Sequence, residues 1–175
     1  MKIGGKGGGN TITGLNFEKE TNILDLLKTK KGYKIINNVI YYEDEEVAKS
    51  FKKYNLYKYL EKEGIDYKKI LSKRLLPDDA IFVIVNNTIF ILEVKFQSGS
   101  GSTDEKLQTC DFKIKQYRKL LSRLNVEVKY IYILSDWFQH PRYKDDLDYV
   151  ISIEGCSYYF KYLPLQKLGL PVPKK

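Results

Sequence analysis

Residues 76–95 read LPDDAIFVIVNNTIFILEVK, and the fold turns on this stretch. Two apolar runs rich in β-branched residues, Ala80–Val85 and Thr88–Phe96, flank Asn86-Asn87, a pair that favours a two-residue hairpin turn. Side chains alternate along a strand, so Glu93 and Lys95 share one face. The register such a turn fixes sets Lys95 opposite Asp78 and Glu93 opposite Ala80, diagonal to Asp78. Directly opposed Cβ atoms lie about 5 Å apart and diagonal ones about 7–8 Å. Asp79 then pairs with Val94 and points to the other side. A slip of one residue would exchange Asp78 for Asp79. Ala80, Phe82, Ile84, Ile89 and Ile91 make the rest of that face apolar.

Two carboxylates and an ammonium on an otherwise apolar hairpin form a candidate site. Mg²⁺, or Mn²⁺ in its place, takes hard oxygen ligands, and Asp78, Glu93 and the backbone carbonyl of Val94 suit it. Such an ion polarises a phosphodiester and acidifies bound water. Lys95 would position the nucleophile and offset charge building in the transition state. The chain carries its own control, because Glu127-Val128-Lys129 repeats the tripeptide with no acidic hairpin ahead of it. The alternative reading of the first copy is a salt-bridged strand end, with Lys95 neutralising Asp78 or Glu93.

Upstream, the first fourteen residues, MKIGGKGGGNTITG, are rich in glycine, and a flexible arm is expected over 1–15. A phosphate-binding Walker loop does not fit, because Lys6 precedes three glycines and no strand leads into them. From Asn16 the spacing predicts a helix with Phe17, Ile23, Leu24 and Leu27 on one side, ended by Gly32. Tyr33–Tyr42 reads as a hairpin around Asn37-Asn38. Glu43–Glu63 is predicted to be a charged helix closed by Gly64, and Lys68–Leu76 to be extended.

Downstream, Ser102 and Glu105 form a capping box. It opens a helix with Leu107, Cys110, Ile114, Tyr117, Leu121 and Leu124 on its buried stripe. Val126–Leu134 is a buried strand, with Tyr149–Ile153 and Tyr158–Tyr162 as further short strands. The fold class is α/β, with a central mixed sheet flanked by helices in one domain over 16–175 and its motif region at 68–134.

The net charge of +8 and pI of about 9.2 favour a polyanionic partner. Fifteen tyrosines and eight phenylalanines could stack on bases, though core filling is the commoner use. Cys110, Cys156 and His140 lack the spacing of a zinc site. Asp136, Asp145, Asp146 and Asp148 read as a surface loop and short helix rather than a second metal site. No run is long enough to span a membrane and no signal-peptide segment opens the chain, so a cytoplasmic, intracellular protein is expected.

Pro77-Asp78 and Glu93-Val94-Lys95 resemble the two halves of the PD-(D/E)xK nuclease motif. The element order from about Asn16 to Leu134 is similar to the αβββαβ core of restriction-endonuclease-like proteins. The resemblance implies metal binding by Asp78 and Glu93 and a catalytic role for Lys95. It further implies a first-helix acid as metal ligand, for which Glu18 is the candidate against an ordinary exposed helix charge. Gln97 extends the motif to E-x-K-x-Q, a variant in which the glutamine lies near the substrate backbone. The segment from Asp104 to Tyr117 resembles the one following the motif in some type II restriction endonucleases. That makes Lys113, Gln116 and Arg118 candidates for DNA contact, against a solvated helix face. Arg142 is a further candidate, since arginine commonly reads guanine.

The expected function is thus a Mg²⁺-dependent, site-specific endodeoxyribonuclease on double-stranded DNA, acting as a homodimer to cut both strands. A Holliday-junction resolvase is the nearest alternative, weakened by the missing arginine cluster before Glu18. A non-catalytic DNA-binding module is the alternative from another class.

Overall fold

The strands quoted above lie near the centre of a seven-stranded sheet. The computed structural model describes residues 13–17, 22–96 and 103–174, the side chains of Asp79, Thr103 and Asp104 apart. The expected arm up to residue 12, Glu18, Gln97 and the Ser102 cap therefore lie outside the described residues, whereas Gly14 and Leu15 at the end of that arm form a strand, not a flexible segment. In chain order come β1 (Gly14–Asn16), α1 (Ile23–Lys28), β2 (Tyr33–Ile36), β3 (Val39–Tyr42), β4 (Glu45–Phe51) and α2 (Asn55–Lys62). Then follow β5 (Asp79–Val83), β6 (Thr88–Lys95), α3 (Thr103–Leu107), α4 (Cys110–Leu121), β7 (Glu127–Leu134), α5 (Lys144–Ser152), β8 (Cys156–Phe160) and β9 (Tyr162–Pro164). The large sheet runs in sequence order from β2 to β8, antiparallel up to β6 and parallel from β6 through β8. The chain is thus mixed α/β, with helices on a mostly antiparallel central sheet.

Strand alternation divides the interior into two cores. Ile89 and Ile91 of β6 and Val128, Tyr130, Tyr132 and Leu134 of β7 face one way, under α2, α4 and α5. Phe90, Leu92, Ile131 and Ile133 face the other, where α1 and the segment after β9 (Leu165, Leu168, Leu170) cover them. β1 and β9 pair as a separate ribbon on that second side. Gly14 lets the Tyr162 ring lie close over the backbone there, since a Cβ would displace the end of that ring.

Several expectations need correction. Glu43–Glu63 is not one helix. Glu43 and Asp44 take positive φ (49° and 67°) and turn the chain from β3 into β4, so α2 begins only at Asn55. The residues of β4 favour helix intrinsically, but pairing on both edges outweighs that preference. Gly64 (φ +73°) follows α2 as expected. Tyr149–Ile153 is not a strand but lies mostly in α5, where Leu147 and Val150 are buried at helical spacing. Acids in its first turn, Asp145 and Asp146, suit a helix start.

The helix expected from Asn16 begins at Ile23, with the Asn22 side chain accepting from the Leu24 amide at 3.1 Å. Phe17 instead continues the β1 pairing through its amide to the Lys161 carbonyl. The Lys68–Leu76 stretch starts in a 3₁₀ turn, Tyr67–Lys69. The long helix breaks at Gln108-Thr109, where the Thr109 hydroxyl donates to the Lys106 carbonyl at 2.7 Å. Its buried stripe survives the break, with Leu107, Cys110, Ile114, Tyr117 and Leu121 all inside.

Candidate functional site

The hairpin register differs from the one expected by two residues. Asp79 pairs with Leu92 and Val83 with Thr88, leaving a four-residue connection, Ile84 to Asn87. Only Asn87 of the Asn86-Asn87 pair has positive φ, so no two-residue type I′ turn forms. Asn87 is tied elsewhere, its side-chain amide donating to the Asn125 carbonyl at 2.8 Å. A shift of two leaves every side chain on its expected face, whereas a shift of one would have inverted them.

The same offset creates an open edge. β5 begins at Asp79, while β6 continues through Glu93, Val94 and Lys95 with β7 on its far side only. The Val94 amide, with no strand to receive it, donates to Oδ2 of Asp78 at 3.1 Å. In a strand the N–H and C=O of one residue point the same way, so the Val94 carbonyl opens onto this edge too. Asp78 itself is half exposed. Its approach is fixed by α2, because the Tyr57 hydroxyl accepts from the Leu75 amide at 2.7 Å and donates to the Leu75 carbonyl at 2.8 Å.

Glu93 is the hub. Lys95 Nζ lies 2.6 Å from Oε1, and Lys113 Nζ reaches Oε1 at 2.8 Å and Oε2 at 2.9 Å. The buried Tyr130 hydroxyl donates to Oε2. Burial alone would raise the Glu93 pKa, but the two ammonium groups outweigh it and hold the carboxyl below its usual range. Lys95 also faces Asp78, at 4.0 Å. Tyr117 and Tyr132 complete the wall; burial first, then neighbouring charges including Glu93, push both phenols up.

Asp78, Glu93 and Lys95 are therefore brought together as the sequence reading expected. Lys113 joins them, though as a partner of Glu93 rather than as a residue turned outward to DNA. Its position was legible: it lies four residues before Tyr117 and seven before Leu120, both buried, on the inner flank of α4. Tyr130 and Tyr57 were missed, since nothing local marks either tyrosine among fifteen. Gln116 is half buried on α4. Arg118 donates to the Glu154 carbonyl at 2.9 Å, and the Arg142 guanidinium lies over the Tyr143 ring, 4.6 Å from its centroid.

Whether these residues suit a divalent ion is a question of donors and charge. Two carboxylates and a strand-edge carbonyl are hard oxygen donors, enough for an ion that keeps several waters and shares a phosphate. The Lys95 ammonium between Glu93 and Asp78 marks a point where both carboxylates converge on positive charge. No cluster of three or more acidic, histidine or cysteine side chains is found among the described residues, so any site here is of that sparse kind. Compared with known proteins, the chain matches no family model, no curated protein and no solved structure.

Proposed function

We propose that the protein is a Mg²⁺-dependent endodeoxyribonuclease of the PD-(D/E)xK kind, cutting duplex DNA site-specifically in the manner of type II restriction enzymes. One observation carries the reading: Asp78, Glu93 and Lys95 meet at the strand edge where β5 stops and β6 runs on. The order α1, antiparallel β4–β5–β6, α4 and a parallel β7 supports it further, since with β2, β3, α2 and α3 counted as insertions it is the order the motif resemblance implies.

Asp78, Glu93 and the Val94 carbonyl would hold the ion, which when bound supplies positive charge to the scissile phosphate and a more acidic water. Lys95 would orient that water and offset the charge that grows on the phosphate oxygens. Tyr130 would fix the direction of the Glu93 carboxylate from the buried side before substrate arrives. Hydrolysis then breaks one P–O ester bond, water furnishing the hydroxyl on phosphorus and the proton on the leaving oxygen. Cutting both strands with one such site per chain calls for a twofold dimer, which sedimentation of the protein with duplex would detect.

The test is incubation of long duplex DNA with Mg²⁺, with EDTA and with Lys95→Ala, beside a synthetic four-way junction. Discrete fragments that need Mg²⁺ and vanish in Lys95→Ala are expected. Symmetric nicking of the junction alone would make the protein a resolvase. Binding without cleavage in Mg²⁺ or Mn²⁺ would leave a DNA-binding module whose Asp78, Glu93 and Lys95 form a structural ion-pair network.

A further inference from the structure

The net charge is unevenly placed. Residues 52–74, the connection from β4 through α2 toward Asp78, carry seven lysines and one arginine against three acids, five of the chain's eight net positive charges. With Leu56, Tyr57 and Leu60 buried, Lys58 and Lys62 share the opposite face of α2 and stand exposed. At the end of this connection Arg74 is held by aromatic rings, with no acid paired to it among the described residues. Its guanidinium carbon lies 4.9, 5.7 and 5.8 Å from the ring centroids of Tyr67, Tyr57 and Tyr54, and it donates to the Tyr67 hydroxyl.

Arg74 nevertheless remains exposed, as does Tyr54 at 52%. An arginine held among three rings and by one hydrogen bond, yet exposed as a residue, is a partly preformed fork for phosphate. The next residue in the chain is fixed as well, since Leu75 is gripped by Tyr57 through its amide and its carbonyl. From Arg74 to Asp78 is four residues, at most about 14 Å of extended chain. Phosphates wind round the duplex as well as rising about 3.4 Å per step, so that reach keeps Arg74 within about two phosphates of Asp78.

We infer that Arg74, braced by Tyr54, Tyr57 and Tyr67 and set in the basic α2 connection, is the anchor for the nucleic-acid backbone beside Asp78. The ligand class is the phosphodiester backbone of duplex DNA, a choice that rests on the nuclease reading. The anchor differs from the contacts the sequence suggested on α4, since Lys113 is paired with Glu93 and Arg118 donates to the Glu154 carbonyl. Lys58, Lys62 and Lys73 add attraction without sequence preference.

The experiment is anisotropy of a labelled duplex with the full chain in EDTA, so that no cleavage intervenes, over a range of salt concentrations. The variants are Arg74→Ala, Arg74→Lys and a triple variant of Lys58, Lys62 and Lys73 to Gln, each checked for an unchanged melting transition. Arg74→Ala is expected to weaken binding about tenfold and to reduce the slope of log affinity against log salt by about one. Arg74→Lys should keep the slope but not the affinity, because it retains the charge and loses the fork. The exposed triple variant should lower the slope by about two to three, and it stands as the test if Arg74→Ala does not fold. Unchanged slope and affinity in both would overturn the assignment, as would Arg74-dependent binding to anionic lipid vesicles in place of duplex. Metal-dependent cleavage with Arg74-independent binding defeats this inference alone. Arg74-dependent binding with no cleavage defeats the nuclease reading alone.

Discussion

At the scale of single residues, Glu93 governs the site because it is held from three sides. Truncating a partner leaves a mostly buried carboxylate short of a donor. Tyr130→Phe is expected to cost about 2 kcal/mol, read by urea unfolding, since hydrogen bonds to charged groups are the stronger kind. Lys113 competes with any cation for the same oxygens. Lys113→Ala should therefore bind Mg²⁺ about tenfold more tightly by titration calorimetry, whereas Glu93→Gln should bind none. Equal affinity in Lys113→Ala and the wild type would mean that Lys113 leaves Glu93 without cost. Ser50 offers a contrast: its hydroxyl is buried on β4 and has no hydrogen-bond partner among the described residues. Ser50→Ala should raise stability by about 1 kcal/mol, or about 2–4 °C in Tm, and a loss would reveal a bond the hydroxyl does make.

At the scale of elements, two Asn-Asn pairs show how far local sequence decides a turn. Asn37 and Asn38 both take positive φ (49° and 67°) and join β2 to β3 in two residues. Asn38→Val is expected to cost about 1–2 kcal/mol, because a β-branched residue resists that conformation, while Asn38→Gly should cost nothing. Asn86-Asn87 has the same composition but answers to Asn125 and to the strand beyond it, so its connection widens. The site was legible all the same, because face depends only on the parity of the register and the shift was even. β4 was not legible, since its helix-favouring residues become a strand only through neighbours β3 and β5, which local pattern does not reveal. Lys113 was half legible: its place on the helix could be read, its partner could not.

At the scale of the molecule, both cores hold buried tyrosines, Tyr33 in one and Tyr117 and Tyr132 in the other. Burial pushes the Tyr33, Tyr117 and Tyr132 phenols well above their usual range. A raised folded-state pKa adds stability that is whole below the unfolded value, about 10, and is lost as pH climbs past it. Absorbance titration near 295 nm should find these phenols silent until the fold opens, with unfolding free energy falling from about pH 10 upward. Early titration of every tyrosine with the fold intact would contradict this.

The short ribbon of β1 and β9 has a mechanical consequence. Gly14 and Pro164 face each other at one end of the antiparallel pair. Handles fixed near residues 13 and 165 and drawn apart would load the rungs one after another, opening the ribbon like a zip rather than shearing it. The seven-stranded sheet would feel tension only after Asn16 and Tyr162 had separated. A force–extension trace should then show a low, early yield followed by a higher rupture, the first releasing the flap over one core and the second the site itself.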